Sequence, residues 1–308
     1  MAINTLTLAQ NMTDALEKVI VQKPVTGFFA DNALSTKFVG ANTVLIPDME
    51  MSGLGDYDRD TGFVQGSVTI GRTPYTLTMD RGRTFQIDAQ DEDESGIPSL
   101  AGEVSGEFVR TKVCPAIDAY CLSKLAGFAV GQAQTVAVTD GSTLEADVYN
   151  MFLKAVSAAQ SAVGYDEALV CFVDATVYDA LQSSAAFERH IAVNDFKQGD
   201  LNLKVRSING VTLLPVPASR MKTGYTFKDG STSGETEGGF VPLDSAKSIG
   251  MLVCPKRGAS LVRKTETVRI FEPSRNPNAD AWKIDYRVYY DLFVKNSLGA
   301  GIIAHIAG

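Results

Sequence analysis

The feature that most constrains this chain is a stretch over residues 37–88 that has the pattern of β-strands but no second layer to pack against. Seven glycines interrupt it, and apolar residues such as Tyr75 and Leu77 alternate with polar ones. This period of two predicts a long twisted β-hairpin, interrupted where Arg-Thr-Pro at 72–74 breaks the alternation. Because a lone hairpin is marginally stable in water, we expect it to lean on another domain or another subunit.

The segment before the hairpin, residues 1–36, is too short to bury a core of its own. Met12, Leu16 and Val19 fit one face of a short helix, and Pro24 ends that helix because proline cannot continue the hydrogen-bond ladder. We predict an arm that lies against another surface.

A long helix is predicted after the hairpin, from about residue 97 to 127. Ile97, Val104 and Phe108 recur at helical spacing. At 1.5 Å per residue this helix would be roughly 45 Å long. Pro115 predicts a kink, because proline removes a donor and crowds the preceding turn. The alternative is two helices that meet at Pro115.

Residues 130–255 have the pattern of an α/β module. Leu144–Val163 carries the apolar stripe of a helix, and the apolar run 168–173 is typical of a strand covered on both faces. Further predicted elements are a short loop or strand at 132–139, a helix from Ala175, buried strands at 211–217 and 249–254, and a polar surface loop at 224–239.

Residues 257–304 return to strand alternation. Two runs, 261–271 and 282–293, have a period of two, and a cluster of turn residues at 273–278 separates them. We predict that these strands pair and cover the long helix.

Composition excludes several classes of protein. Hydrophobic residues make up 45% of the 308 residues, which argues against disorder over most of the length. The net charge of −8 argues against a dedicated nucleic-acid-binding protein. No apolar run reaches the ~18–20 residues of a membrane helix, and no secretory signal is visible. The four cysteines form no C-x-x-C pair and are predicted to be buried thiols of a reduced protein.

The sequence carries no catalytic or metal-binding motif. The two histidines are isolated, and no P-loop or nucleophile elbow is present. Asp174, at the end of a predicted strand, is the one weak candidate for catalysis. We therefore predict a protein that is not an enzyme and has no cofactor.

Charged residues around the hairpin form a candidate assembly interface. We expect arginines to pair with acidic residues of a neighbouring subunit, which would set register and orientation more than affinity. The residues are Arg72, Asp80, Arg81, Arg83, Asp88, Asp91, Glu92, Asp93 and Glu94.

The order of these parts resembles the major capsid proteins of tailed bacteriophages, which have the Hong Kong 97-type α+β shell fold. The local sequence is also similar to that family over three stretches. They are YTLTMDRGRTFQID at 75–88 for the return strand of the hairpin, GEVSGEFVRTKVCPAIDAY at 102–120 for the spine helix, and SINGVTLLPVP at 207–217.

The resemblance implies a division of the chain into parts. They are an N-terminal arm at 1–36, an extended β-hairpin loop at 37–88, the spine helix of a peripheral domain at 89–129, an α/β axial domain at 130–255, and peripheral-domain strands at 256–308.

The resemblance also implies a function, that of a self-assembling icosahedral shell of hexamers and pentamers around double-stranded DNA. The expected partners are a portal and a separate scaffold protein, and DNA without sequence-specific contacts, with no membrane. The expected location is the virion, after assembly in the host cytoplasm. The alternatives are an encapsulin-like compartment holding cargo enzymes and a soluble α/β enzyme that uses Asp174.

Overall fold

A two-stranded ribbon stands out from the body of the molecule near its N-terminus. The computed structural model describes residues 24–31, 37–39, 42–91, 100–138, 144–183, 191–198 and 201–307. After a short helix α1 (Phe28–Asp31), the chain forms β1 (Lys37–Val39), β2 (Thr43–Met51) and β3 (Val68–Thr76). β2 and β3 run antiparallel, and residues 52–67 form the tip between them.

The ribbon accommodates the residues that were predicted to interrupt it. Residues 72–74 lie inside β3, and Pro74 is opposite Leu45. The strand order is β1-β2-β3, so β3 is an edge strand. Proline is tolerated there because an edge strand does not need every N–H for the ladder.

The predicted return strand does not belong to the ribbon. β4 (Met79–Asp88) pairs instead with β14 (Ala281–Val294), which also pairs with β13 (Ala259–Phe271). The period of two continues from β3 into β4, but a period identifies the face of a strand and not its partner. The predicted pairing of the two late strands is confirmed, and a single 3₁₀ turn (Pro273–Arg275) separates them.

The long helix is continuous through Pro115. It comprises α2 (Leu100–Phe108), a π-helical turn (Val109–Val113) and α3 (Cys114–Gly131). The Cys114 N–H donates to the Val109 carbonyl, five residues back. This widened turn directly precedes Pro115, whose ring would crowd a regular α-helical carbonyl. The alternative of two separate helices is therefore wrong, and a π turn accommodates Pro115. The predicted start at residue 97 lies outside the described residues.

The helical stretch Gly102–Gly131 is long and apolar enough to cross a membrane by length and composition, and half of its most apolar part is buried in this fold. Leu122 and Leu125 are fully buried in the same cluster as Leu292 of β14 and Leu252. This packing accounts for the apolar character of the helix.

A seven-stranded mixed sheet forms the largest layer. Its order is β5-β15-β12-β6-β9-β8-β7. The strands are β5 (Thr135–Val138), β6 (Leu169–Asp174), β7 (Ile191–Gln198), β8 (Leu201–Ile208), β9 (Val211–Val216), β12 (Ile249–Pro255) and β15 (Ile303–Ala307). The helices α4 (Leu144–Val163) and α5 (Ala175–Ser183) follow β5 and β6.

Both faces of this sheet are covered, as the apolar run at 168–173 predicted. Leu169, Cys171 and Val173 pack in a cluster with side chains of α4 and α5. Val170 and Phe172 pack in another cluster with the long helix and α1. Every residue of β6 is buried, because successive side chains of this strand pack alternately into the apolar layers on the two faces of the sheet.

Some elements depart from the sequence prediction. β15 pairs with β12 and β5, so the last residues join the large sheet and not the β13–β14 pair. The hairpin β7–β8 was not predicted, although apolar and polar residues alternate along the start of β8. The polar loop at 224–239 includes β10 (Tyr225–Phe227), which pairs with β11 (Phe240–Pro242). A 3₁₀ turn (Ala218–Arg220) precedes this loop, and a short α6 (Asn296–Gly299) precedes β15.

All four cysteines are free thiols, as predicted, but only Cys121, Cys171 and Cys254 are buried, whereas Cys114 is half-buried. Burial raises the pKa of Cys254 to about 12, which keeps this thiol protonated and unreactive at neutral pH.

Candidate assembly surfaces

The ribbon tip exposes large apolar side chains to solvent. Leu54 is fully exposed, and Phe63 is 90% exposed although its ring lies 4.9 Å from that of Tyr57. Val64, Val68 and Ile70 are also exposed. Side chains of this kind on a protruding ribbon are typical of a surface that another molecule covers.

The tip is also acidic. Residues 52–67 contain three aspartates and one arginine, a net charge of 1 − 3 = −2. The Asp60 N–H donates to Asp58 Oδ1 at 2.7 Å, which closes a tight turn and holds both carboxylates at the end of the ribbon. The tip therefore combines aromatic rings with negative charge.

A buried carboxylate fixes the root of the ribbon. Asp291 of β14 accepts hydrogen bonds from the Thr78 N–H at 3.1 Å, the Thr78 hydroxyl at 3.0 Å and the Tyr120 hydroxyl at 2.8 Å, and it forms an ion pair with Lys124. Thr78 links the ribbon to β4, whereas Tyr120 and Lys124 lie on the long helix. The network thus joins the ribbon to the helix and the sheet.

A small apolar cluster supports the same root. Val44 and Leu77 are buried against Val262 and Phe293. The Tyr75 ring lies 5.0 Å from that of Phe293. Among the described residues, this support lies at the base of the ribbon, which is therefore anchored at that end.

A second buried carboxylate fixes residues 25 and 26, which lie within the predicted arm. Asp118 of the long helix accepts the Val25 N–H at 3.1 Å, the Thr26 N–H at 3.0 Å and the Thr26 hydroxyl at 2.6 Å. It also forms a buried ion pair with Arg220 at 2.9 Å. Burial raises the pKa of Asp118, and the hydrogen bonds and the charge of Arg220 oppose that rise.

Neither Asp118 nor Asp291 was among the predicted site residues. The sequence does contain a signal for both, because each is a single carboxylate inside an apolar run. A carboxylate in such a run is expensive to bury unless it is paired, so its position indicates a polar network.

The predicted interface arginines contact their own chain. Arg81 donates to the Lys228 carbonyl at 2.6 Å and lies 5.5 Å from the centre of the Phe227 ring. Arg83 donates to the Thr236 carbonyl at 3.0 Å. Both therefore hold the polar loop against β4, which sequence spacing did not reveal.

The predicted acidic partners also have contacts within the chain. Asp80 forms a two-point ion pair with Arg287 at 2.6 and 2.9 Å, and the hydrogen bond from Arg287 lowers the pKa of Asp80. Asp88 accepts the N–H of Gln90 at 2.9 Å. Arg72 is exposed on β3 and Asp91 is half-buried, whereas Glu92, Asp93 and Glu94 lie outside the described residues.

A cavity of about 460 Å³ lies between the long helix, β4, β14 and the polar loop. We call it the β4 cavity. Its charged lining residues are Arg81, Arg83, Lys112, Lys228, Asp229 and Glu237, and its apolar wall includes Phe85, Phe108, Ile117 and Val288. Tyr290 also lines it, and the buried Tyr290 hydroxyl has no hydrogen-bond partner among the described residues.

The candidate catalytic residue Asp174 lies at the start of α5. Its Oδ2 accepts the Thr176 hydroxyl at 2.7 Å, a contact typical of a carboxylate at a helix N-terminus. Within the described residues, no three His, Cys, Asp or Glu side chains are grouped so that they could hold a metal ion.

No protein-family model and no curated protein matches this sequence. Solved structures match it over nearly its whole length. The mature capsid of bacteriophage PhiM1 aligns with a TM-score of 0.63 at 15% identity, over 98% of this chain and 92% of that one. The capsid of cyanophage P-SCSP1u aligns with a TM-score of 0.63 at 11% identity, over 99% and 93%.

A chain from Mycobacterium phage Che8 aligns with a TM-score of 0.60 at 12% identity, over 97% of this chain and 96% of that one. These similarities span the ribbon, the long helix and both sheets in one alignment. The chain therefore has the α+β Hong Kong 97-type fold of tailed-phage capsid subunits.

Proposed function

We propose that this chain is the major capsid protein of a tailed bacteriophage and assembles into an icosahedral shell around double-stranded DNA. The observation that carries the proposal is the ribbon, whose root is fixed by a buried network while its apolar tip is exposed. A single chain leaves this surface in water, whereas a lattice of identical chains can cover it.

The assembly mechanism follows from several modest contacts made at once. The ribbon reaches one neighbour, the N-terminal arm reaches another, and the module at 130–255 forms the rings of hexamers and pentamers. Each further contact within a lattice is effectively intramolecular, so weak interfaces together give a persistent shell. The likeness of the whole chain to subunits of two phage capsids supports this geometry.

The charge of the chain suits a container for DNA. The net charge of −8 disfavours tight adhesion to phosphates, so DNA would be enclosed without sequence-specific contacts. A portal and a separate scaffold protein would complete the particle. The protein would assemble in the host cytoplasm and end in the virion.

Electron microscopy and sedimentation of the purified chain test the proposal. We expect closed shells at neutral pH and high protein concentration. A protein that remains strictly monomeric under these conditions would contradict the proposed function.

A matched variant replaces residues 52–67 by Asn-Gly. Met51 is opposite Val68, so a two-residue turn can close the shortened ribbon there. We expect this variant to fold but to form no shells. The contents of the wild-type shells then separate the alternatives, since protein cargo in place of DNA would indicate a compartment shell.

A further inference from the structure

The β4 cavity has the size and shape of a site for a small molecule. Three alternate residues of β4 and three of β14 line it, namely Arg81, Arg83, Phe85, Tyr286, Val288 and Tyr290. Alternate residues share one face of a strand, so these side chains form a continuous floor. Arg81 and Phe85 are four residues apart, which gives the floor a length of roughly 13 Å at 3.3 Å per residue. The volume of about 460 Å³ lies within the usual range of ligand sites.

The two ends of this floor differ in chemistry. At one end the rings of Phe85 and Phe108 meet edge to face, with 4.8 Å between their centres. At the other end Arg81 is opposite Val288 and is therefore a diagonal neighbour of Tyr290. Burial raises the pKa of Tyr290, and the positive charge of Arg81 opposes this rise. The cavity thus has an aromatic end and a cationic end.

The cationic side chains of the lining have no acidic partner. Within the part of the chain that the structure describes, none of these side chains forms an ion pair: Arg81, Arg83, Lys112 and Lys228. The lining also contains two acidic residues, Asp229 and Glu237. The local charge is therefore 4 − 2 = +2 in a chain whose net charge is −8, which favours an anionic ligand.

One of the two acidic residues is already occupied within its own loop. The Asp229 carboxylate accepts the Ser231 N–H at 2.8 Å, the Thr232 N–H at 2.8 Å and the Thr232 hydroxyl at 2.6 Å. These hydrogen bonds hold the carboxylate against the backbone of the polar loop. The positive charge of the lining therefore remains available to a ligand.

The hydroxyl of Tyr290 is a second, independent observation. The side chain is 1% exposed and lines the cavity, yet its hydroxyl has no hydrogen-bond partner among the described residues. A buried hydroxyl without a partner is unfavourable, so an acceptor oxygen brought in by a ligand would be stabilised there.

We propose that the β4 cavity binds a small organic anion, of the class of aromatic carboxylates. The acidic group lies at the end formed by Arg81 and Tyr290, and the apolar body extends toward the rings of Phe85 and Phe108. The ligand contacts β4, the long helix and the polar loop at once, so its binding holds the polar loop against the body. The inference concerns the single chain and does not rest on the proposed shell function.

The fluorescent aromatic anion 1-anilinonaphthalene-8-sulfonate tests the site in the full-length protein. Trp282, the one tryptophan of the chain, packs on the same small cluster as Phe85. Energy transfer falls steeply with distance, so excitation of Trp282 should produce emission from a probe bound in the cavity. The neutral N-phenyl-1-naphthylamine has the same rings without the sulfonate. Added salt should weaken binding of the sulfonate but not that of the neutral probe.

The same probe binds other exposed apolar surfaces, so its location needs controls. The variant with residues 52–67 replaced by Asn-Gly lacks the exposed side chains of the ribbon tip and should keep the transfer from Trp282. Ala116→Leu fills the cavity from the long helix and should abolish the transfer while circular dichroism stays unchanged.

Substitutions in the lining test the cationic end. Lys112→Met with Lys228→Met should weaken binding of the sulfonate about fivefold, whereas Lys154→Met on the exposed side of α4 should not change it.

Tyr290→Phe should weaken binding about threefold without lowering the stability of the free protein, because its hydroxyl has no partner to lose. Tyr286→Phe is its matched control, since the Tyr286 hydroxyl already donates to Glu266 at 3.3 Å and its loss should leave the affinity unchanged.

Competition identifies the class of ligand. We expect 2-naphthoate to displace the probe and inorganic phosphate at the same concentration to leave it bound, because phosphate has no apolar body. Displacement by phosphate would show a site for any anion and would overturn the inference. Binding without transfer from Trp282, loss of transfer in the shortened ribbon, or full affinity in Ala116→Leu would place the probe elsewhere and would also overturn it.

Discussion

The ribbon and the seven-stranded sheet are built from the same kind of strand, yet they differ in what surrounds them. Every residue of β6 and β12 is buried, whereas seven of the nine residues of β3 are exposed. The sheet is covered by the long helix and α1 on one side and by α4 and α5 on the other. The sheet therefore has both of its faces covered within one chain, whereas the described residues of the chain leave most of β3 exposed.

The contacts that attach the ribbon and residues 25–26 to the rest of the fold are polar and buried. Asp118 fixes residues 25 and 26 of the predicted arm, and Asp291 fixes the root of the ribbon. Asp118 lies on the long helix, and Asp291 contacts Tyr120 and Lys124 of the same helix. The helix thus sets the direction in which both extensions leave the body.

The largest expected effect comes from Asp118→Ala. The substitution removes the carboxylate of a buried ion pair with Arg220, so we expect a loss of about 3–5 kcal/mol in the free energy of unfolding. Denaturant titration of the unassembled subunit measures it. Asp80→Ala is the control, because its ion pair with Arg287 is exposed and should change stability little. Equal losses of stability in Asp118→Ala and Asp80→Ala would show that the Asp118–Arg220 ion pair contributes no more to the stability of the fold than an exposed pair does.

A pair of apolar substitutions compares the two regions directly. Leu252→Ala in β12 creates a cavity in the core and should lower stability by about 2–5 kcal/mol. Ile70→Ala in the ribbon removes a side chain that is 74% exposed and should change stability by less than about 0.5 kcal/mol. Ile70→Ala should nevertheless lower the yield of particles, although it changes the stability of the subunit little. A large folding defect in Ile70→Ala would show that the ribbon packs on its own body.

Acidification should weaken the sheet through His305. The alternation along β15 places His305 on the same face as Ile303, and burial lowers the pKa of His305 to about 4. The unfolded chain binds this proton near pH 6.5 and the folded chain does not, so stability falls as pH falls from about 6.5 to about 4.

The full effect is about 3 kcal/mol, from 1.36 kcal/mol per pKa unit. Denaturant titrations of the wild type and of His305→Met across this range measure it. The variant should lose this part of the pH dependence, while the carboxylates titrate alike in both proteins. Parallel pH profiles would show that His305 is not the group responsible.

The smallest effect is expected from Tyr120→Phe at the root of the ribbon. The variant loses the hydrogen bond from Tyr120 to Asp291 and the contacts of the Tyr120 hydroxyl with Thr78 and Lys124. Thr78 and Lys124 keep their own contacts with Asp291, so we expect a loss of about 1–2 kcal/mol. Hydrogen exchange at the Thr78 N–H should become faster than in the wild type. Ser123→Ala, three residues further along the helix, loses a bond to the loop carbonyl of Thr223 and should leave that exchange unchanged.

Much of the fold could be predicted from local patterns. The helix Leu144–Val163 has the predicted bounds, and β6 is buried on both faces as its apolar run indicated. The candidate site was predicted less well, because Arg81 and Arg83 contact the loop at 228–239 and Asp80 pairs with Arg287. These partners lie far along the chain, and charge alone does not select between an internal and an external partner.

The amino-acid sequence by itself determined most of the strands and helices and which faces they bury, since periodicity and burial are properties of neighbouring residues. It also determined that the ribbon lacks a second layer. Only the tertiary structure decided that β4 pairs with β14, that β15 joins the large sheet and that two aspartates anchor the extensions. These choices depend on contacts between residues about 90 to more than 200 positions apart, which local patterns do not encode.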